Sequence, residues 1–371
     1  MNSIVTHSAT LFKRNSKTLV ALSGQLFSSI TPVAFAVFAV TTNNKGVTDP
    51  LIYSSALAAP LATISRLGTD TYIITKCRSR SLERTRAFLG RYVLIHIFLF
   101  FLIAPVLISI LFVYKSSDLF LLFSILLFFV CSSVISNCLI GVGSNFLGLA
   151  VRPSLFYLML ILLVSVGAQP DLIGITLLAV AITATPVILR LLKIAVPQRV
   201  DRRFLSVYLG RTRRTILFAL AQSVWLNIFV ISSANASQLN IDILNLYQRV
   251  MNLFAALSRV LFVIYPNIVS SSASIVSSAF GTLILACANF YDLPIEIGLL
   301  CFSFVLGMYY LFRNKNIERG RYSVSATELL LLSAMFVWLG FSWVFLISAS
   351  AAIIFFSAYR SAYDIHRKRR L

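Results

Sequence analysis

The hydrophobic residues of this chain fall into long runs separated by short polar stretches. The runs are about 18–25 residues long, which is the length that a helix needs to cross the hydrocarbon core of a bilayer. Strict alternation of apolar and polar residues, the pattern of a membrane β-barrel, is absent. The pattern therefore predicts an all-α polytopic membrane protein. Its twelve predicted spans are 18–41, 49–75, 91–114, 118–140, 154–168, 172–193, 215–235, 243–267, 273–291, 294–312, 326–340 and 342–359.

A basic segment divides these spans into two groups of six. The sequence thus predicts an N-terminal lobe (1–194), a basic linker (195–214) and a C-terminal lobe (215–371). Because each lobe has an even number of helices, the two lobes would share the same orientation, related by an axis along the membrane normal. The last two spans are short and are separated only by Gly340, Phe341 and Ser342, so two helices and one long tilted helix both fit this region.

Local signals mark some of the predicted helix ends. Asp171 suits a helix N-terminus, where the carboxylate meets the positive end of the helix dipole. The run from Ser325 to Glu328 has the spacing of a capping box, which predicts that a helix begins there.

Composition and charge support the membrane assignment and orient the chain. Of its 371 residues 58% are hydrophobic and 12% are charged, too few polar residues to cover a soluble fold. With both termini on the inner side, 27 of the 32 lysines and arginines lie at inner segments or at the helix ends nearest to them. The five exceptions are Lys45, Lys115, Arg66, Arg249 and Arg259. The net charge of +20 is then explained by topology and by anionic inner-leaflet lipids, and no nucleic-acid partner is expected.

The polar segments argue against an enzyme. The longest outer loops, roughly 41–48 and 236–242, hold no pair of carboxylates or histidines for acid–base chemistry. There is no Gly-rich phosphate loop, and the five cysteines and three histidines have no metal-ligand spacing, so no metal or other cofactor is expected. These observations favour a secondary transporter or a flippase.

Three arginines lie within predicted spans, where an unpaired charge is costly. Arg66 and Arg259 are near mid-depth in spans 2 and 8, and Arg249 is nearer the outer face. Asp70 follows Arg66 by four residues, a spacing that suits either a self-neutralised structural pair or a cavity site. Arg249, Asn252, Ala256 and Arg259 recur at helical spacing on one polar side of span 8. Further buried polar candidates, most often interhelical hydrogen-bond formers, are Gln25, His96, Asn137, Gln222, Asn227 and Asn289.

The stretch "LIYSSALAAPLATISRLGTDTYIITK" has Tyr53 near its start and Leu67-Gly68 before a basic inner loop. In this it resembles the second span of a known family, the polysaccharide or oligosaccharide flippases of the multidrug/oligosaccharidyl-lipid/polysaccharide superfamily. "VWLNIFVISSANASQLNIDILNLYQRVMNLFAALSRVLFVIYPNIV" is similar to its seventh and eighth spans. "LAVRPSLFYLML" stands where the family has a basic turn between spans 4 and 5. Many members carry an acid early in span 7, where this chain has Asn227, so a coupling role is not carried over to that residue.

The resemblance implies two six-helix lobes around a central cavity that opens alternately to each side of a bacterial cytoplasmic membrane. The implied substrate is an undecaprenyl-diphosphate-linked sugar unit, and glycan polymerase or assembly proteins are implied partners. A diphosphate needs cations, and arginine suits it best because its fork matches phosphate oxygens. The expected contacts are Arg259, Arg66, Arg249, Asp70 and Asn252, with Gln25 and Asn227 as polar cavity residues. A drug/cation antiporter of the same superfamily and a membrane glycan polymerase or ligase are the alternatives.

Overall fold

The computed structural model describes residues 23–42, 44–65, 77, 81–113, 119–196, 199–233, 241–264, 271–318 and 322–368. Apart from turns and connecting residues, these ranges are helical and contain no strand. The helices, in chain order, are α1 (Ser23–Thr42), α2 (Lys45–Ser65), α3 (Leu82–Val113), α4 (Leu119–Gly141), α5 (Asn145–Ser165), α6 (Pro170–Leu191), α7 (Arg202–Trp225), α8 (Ile228–Ser233), α9 (Ile241–Ile264), α10 (Ser271–Phe290), α11 (Ile295–Glu318), α12 (Tyr322–Leu339) and α13 (Trp343–Lys368).

Several of these helices are long and apolar enough to cross a membrane. In the described ranges six qualify: Ser23–Thr42, Leu82–Ile103, Leu119–Gly141, Pro170–Leu191, Tyr322–Leu339 and Trp343–Arg360. Helix α5 makes a seventh if its two parts, bent by 45°, form one span. Shorter apolar stretches lie in α7, α10 and α11. By helix length and composition, the chain is a multi-pass helical membrane protein.

The chain forms two compact units, Met1–Thr212 and Arg213–Leu371. The boundary falls inside α7, between two consecutive residues of one continuous helix. The basic segment 195–214, predicted as a linker, is therefore helical from Arg202 onward rather than a loop.

Helix α4 is the centre of the first unit and packs against α2, α3, α5 and α6. Its sequence is consistent with this placement, because its polar residues Ser132, Ser133 and Asn137 are buried against other helices rather than placed in lipid. Small residues let α5 approach α4 closely: a side chain at Gly148 would meet Ile140 and the Ser136 carbonyl at under 3 Å.

Helix α11 has the same place in the second unit and packs against α9, α10, α12 and α13. Glycines again permit the closest approaches. A side chain at Gly281 of α10 would collide with Val305, and one at Gly298 of α11 would collide with the Trp343 ring. Helices α4 and α11 correspond to the fourth predicted spans of the two groups of six. Each unit is thus built around the helix that matches the fourth predicted segment of its group.

The C-terminal region forms two helices. Of the two alternatives predicted for residues 326–359, two helices or one long tilted helix, the first is therefore confirmed. Helix α12 ends at Leu339 and α13 starts at Trp343. Gly340 between them has a φ of 66°, a left-handed conformation that glycine adopts without steric cost.

Two predictions for helix ends are wrong. Helix α12 starts at Tyr322, so Ser325 and Glu328 lie inside it and form no capping box. The "LAVRPSLFYLML" stretch is not a turn but part of α5, which bends by 45° between Val151 and Ser154, around the proline that follows Arg152. The turn itself comes earlier, at Gly143, whose φ is 101°. In contrast, Asp171 lies in the first turn of α6, as predicted.

Candidate functional site

The structure describes only some of the predicted site residues. Arg66 and Asp70 lie outside the described residues. Arg259 lies in α9, but its side chain is outside what the structure describes. Arg249 and Asn252 are described on α9, Asn227 between α7 and α8, and Gln25 on α1. The predicted pairing of Arg66, Asp70 and Arg259 therefore stays a prediction.

Helix α9 turns its polar side into the second unit. Arg249 is only 8% exposed, and its Nε donates a hydrogen bond to Asn245 Oδ1 at 3.1 Å. Gln248 is fully buried, and Ala256, about two helical turns further on, is buried as well. A guanidinium is thus kept in the interior of the unit on a helix whose remaining residues are mostly apolar.

Side chains on the same side of α9 form hydrogen bonds to the backbone where α7 ends and α8 begins. Helix α7 ends at Trp225, and α8 begins at Ile228 after a two-residue turn. Gln248 Oε1 accepts a hydrogen bond from the Phe229 amide at 2.9 Å, and Gln248 Nε2 donates to the Trp225 carbonyl at 3.3 Å. Asn252 Nδ2 donates to the Leu226 carbonyl at 2.9 Å. These two side chains satisfy backbone groups that the break removes from the helical ladder.

Two other candidates also have local roles. Asn227 is buried, and its Nδ2 donates to the Ser223 carbonyl at 2.9 Å, at the end of α7. Gln25 is partly buried on α1, where its backbone carbonyl oxygen accepts hydrogen bonds from the Ser28 and Ser29 hydroxyls. For Asn252 and Asn227, the structure assigns backbone contacts at the α7–α8 break.

A second polar cluster of this unit was not predicted. Arg360 of α13 is 3% exposed and forms a two-pronged ion pair with Glu328 of α12, in which its Nε donates to Glu328 Oε1 at 2.6 Å and its Nη2 donates to Glu328 Oε2. Arg360 Nη2 also donates to the Ser325 hydroxyl at 3.2 Å. The Tyr309 hydroxyl of α11 donates to Glu328 Oε2 at 2.6 Å. The carboxylate therefore joins three helices.

Arg313 lies beside this ion pair, enclosed by aromatic rings. It is 1% exposed, and its guanidinium carbon lies 4.4 Å from the Tyr310 ring centre and 5.5 Å from that of Phe218. The Trp225 indole N–H donates to the Tyr310 hydroxyl at 2.6 Å, which fixes that ring. Cation–π contacts of this kind offset part of a buried positive charge.

In the first unit, two of the polar candidates form interhelical hydrogen bonds, as predicted. His96 Nε2 and the Tyr208 hydroxyl are 2.8 Å apart, which joins α3 to α7. Asn137 Nδ2 donates to the Tyr92 hydroxyl at 2.8 Å, which joins α4 to α3. Asn289 differs from the prediction: it is exposed near the end of α10.

A cleft of about 760 Å³ lies in the first unit near the start of α3. Arg84 and Arg91 line it together with Glu83 and the Phe204 ring. Arg91 is partly neutralised, because its Nη1 is 3.7 Å from Asp201 Oδ2 and its guanidinium lies 5.5 Å from the Phe204 ring centre. The positive charges of Arg84 and Arg91 are thus nearly balanced by the negative charges of Glu83 and Asp201.

Sequence reasoning missed Glu328, Arg313 and Arg360 because they lie at the ends of predicted spans, where charges usually reach water. Only the helix packing shows that they are buried. A weak signal existed in the sequence: Tyr309, Tyr310 and Arg313 lie within one helical turn, a spacing that favours cation–π contact. In the described ranges, no three His, Cys, Asp or Glu side chains are grouped as metal ligands would be.

Comparisons of this chain with protein-family models, with curated proteins and with solved structures give no match. The fold and the geometry of these clusters are therefore the basis for any statement about function.

Proposed function

We propose that this protein is a flippase that moves a lipid-linked oligosaccharide or polysaccharide repeat unit across a membrane by alternating access. The observation that carries the proposal is Arg249, a cation retained inside a helical unit among polar neighbours of α9. A guanidinium is expensive to keep at such a place, and in a membrane protein it is best explained by an anionic substrate or a pairing role. A diphosphate headgroup fits the first explanation because arginine binds phosphate oxygens through two parallel hydrogen bonds.

The proposal includes the finer architecture predicted from the sequence. The chain would complete twelve spans in two six-helix lobes around a central cavity, with both termini on the cytoplasmic side of a bacterial membrane. The packing of each unit around the helix of its fourth predicted segment supports this arrangement, because two lobes of like topology would repeat the same helix order. The undecaprenyl tail would stay in the bilayer while the diphosphate and sugars cross.

Within this proposal, Arg259, Arg249 and Arg66 contact the diphosphate, and Asp70 holds Arg66 in place. Asn252 and Asn227 support these contacts indirectly, since both side chains bond to the backbone around the α7–α8 break. The substrate is the principal partner, together with membrane lipids and with polymerase or assembly proteins that take up the flipped units.

Genetic complementation tests the function. Deletion of the gene should accumulate lipid-linked repeat units on the inner leaflet, and the wild-type chain should restore their transfer. If the units instead reach the outer leaflet but stay unpolymerised, the protein is a glycan polymerase and the proposal is wrong. Arg259→Glu should abolish rescue at unchanged membrane abundance, because it repels the diphosphate. Arg259→Lys, which keeps the charge, should retain partial rescue. Normal rescue by Arg259→Glu would contradict a phosphate contact at this residue.

One observation favours a drug/cation antiporter as the second candidate. An antiporter needs a buried titratable acid, and Glu328 is a carboxylate only 4% exposed in the second unit. Its ion pair with Arg360 argues for a structural role. Drug efflux by the wild type that is lost in Glu328→Gln at unchanged membrane abundance, with transfer of lipid-linked glycans unaffected by deletion of the gene, would establish the antiporter instead.

A further inference from the structure

The buried cluster of α11, α12 and α13 carries more positive than negative charge. Arg313 and Arg360 are 1% and 3% exposed, and the carboxylate of Glu328 is the one acid that contacts either of them among the described residues. Among the described side chains of this cluster, one formal positive charge has no matching negative charge. Burying a charge without a partner is strongly unfavourable, so the surplus calls for a counter-charge.

The hydrogen-bond inventory of the two guanidinium groups leads to the same conclusion. Arg313 Nε and Nη1 and Arg360 Nη1 are sealed from solvent, and no described residue accepts a hydrogen bond from them. The aromatic rings around Arg313 offset part of its charge, but a ring face is a poor substitute for an oxygen acceptor in the guanidinium plane. Three buried donor groups on the two guanidiniums therefore have no hydrogen-bond acceptor among the described residues.

Four described residues act electrostatically on Arg313. They are Tyr309, Tyr310, Glu328 and Arg360. The Tyr309 hydroxyl already donates to Glu328, and the Tyr310 hydroxyl already accepts from Trp225. Glu328 has both oxygens bonded to Arg360. None of the four is an anion left over for Arg313.

We propose that Arg313 and Arg360 form a binding site for a phosphoryl oxyanion at the ends of α11 and α13. A tetrahedral phosphate group presents oxygens in several directions, so it can accept from both guanidiniums at once, whereas a planar carboxylate offers only two oxygens. Arginine pairs with phosphate through charge-assisted, often bidentate hydrogen bonds. The site is separate from the α9 contacts, and it stands whether or not the protein is a flippase.

The charge pattern of the sequence assigns this end of α11 and α13 to the inner face of the membrane. Two sources of the same chemistry meet there: free cytoplasmic phosphate and the phosphodiester of an anionic inner-leaflet lipid. Because the guanidiniums are closed off from solvent, the anion would enter when α11 and α13 separate and would then hold the ends of the two helices together.

The test uses the purified protein. Thermal unfolding measures how its unfolding temperature depends on the anion, and equilibrium dialysis measures how many anions it binds. In neutral detergent, the probes are inorganic phosphate and pyrophosphate, compared with chloride at matched ionic strength. In nanodiscs, phosphatidylglycerol is compared with phosphatidylcholine. We expect phosphate or phosphatidylglycerol to raise the unfolding temperature by about 2–4 °C, and one bound anion per chain. A response in detergent identifies free phosphate as the ligand, and a response only in phosphatidylglycerol nanodiscs identifies the lipid.

Variants locate the site. Arg313→Gln should weaken anion binding by about tenfold or more, the effect of losing charge-assisted hydrogen bonds. Arg213→Gln is the matched control, since Arg213 is exposed in the same unit and should bind as the wild type does. If Arg313→Gln does not fold, Arg313→Lys replaces it, because lysine keeps the charge and loses the planar fork. An equal response of wild type and Arg313 variants, or no response to either source, would overturn the site.

Discussion

At the scale of single residues, the second unit is organised by charges that water does not reach. Glu328 accepts hydrogen bonds from Arg360 on α13 and Tyr309 on α11. A buried carboxylate with this many donors is well satisfied, but its removal leaves a buried guanidinium without its counter-ion. The loss of folding stability is therefore expected to be largest when only one member of the ion pair is removed.

Replacing Glu328 by alanine should destabilise the second unit by about 3–5 kcal/mol, since Arg360 loses its carboxylate while staying buried. Thermal unfolding of the purified protein and its abundance in membranes measure this effect. The double change Glu328→Met with Arg360→Met should recover most of the loss, because both charges leave together. Glu296→Ala serves as control: that carboxylate is exposed and accepts a hydrogen bond from the Tyr247 hydroxyl, so the change should have little effect. A single Glu328 variant as stable as the wild type would show that the pair is not the anchor described.

At the scale of elements, the break between α7 and α8 is the most distinctive feature. A helix that ends within an apolar region exposes backbone groups, and these must find partners elsewhere. Gln248 and Asn252 of α9 provide them for the Trp225 carbonyl, the Leu226 carbonyl and the Phe229 amide. The break is thus stabilised by side chains of a neighbouring helix, which connect α9 to α7 and α8.

Gln248→Leu should destabilise the protein by about 1–3 kcal/mol, because the buried Phe229 amide is left without an acceptor. Gln248→Glu keeps that acceptor but loses the donor to the Trp225 carbonyl. Gln222→Leu is the control, a similar change on α7 at a partly buried residue. Thermal unfolding and hydrogen exchange at residues 226–229 report the result, with faster exchange expected in Gln248→Leu and not in Gln222→Leu. Unchanged exchange in Gln248→Leu would mean that the two side chains do not maintain the break.

At the scale of the whole molecule, the distribution of basic residues predicts the orientation in the membrane. By the positive-inside rule, the start of α7, with Arg202 and Arg203, is predicted to lie on the cytoplasmic side. Gln169, in the turn before α6, is predicted to lie on the opposite side. Both residues are exposed in the first unit, so each is open to a labelling reagent.

Single cysteines in a chain without its five native cysteines test this topology. A membrane-impermeant maleimide added to intact cells should label Gln169→Cys and not Arg203→Cys. After the cells are opened, both should react, which is the control for accessibility. Labelling of Arg203→Cys in intact cells would contradict the predicted orientation. The prediction that both termini are cytoplasmic would then be wrong.

The sequence by itself determined the class of the protein and much of its helix order. The length of an apolar run must match the bilayer, so a described helix overlaps each of the twelve predicted segments. Only six helices in the described ranges, or seven with the bent α5, meet the length and hydropathy of a span. Asp171 was located correctly for a similarly local reason, the field at a helix N-terminus.

Only the tertiary structure decided which polar groups are buried together. Ser325 and Glu328 have capping-box spacing, yet both bond to Arg360, more than 30 residues away. Asn252 is predicted from the sequence to contact substrate, and the structure adds that its amide donates to the Leu226 carbonyl. The physical reason is that span length depends on local hydrophobicity, whereas the partner of a buried charge or amide depends on helix packing over long sequence separations. A one-dimensional pattern therefore specifies that polar groups lie within the membrane, and the packing specifies what each of them binds.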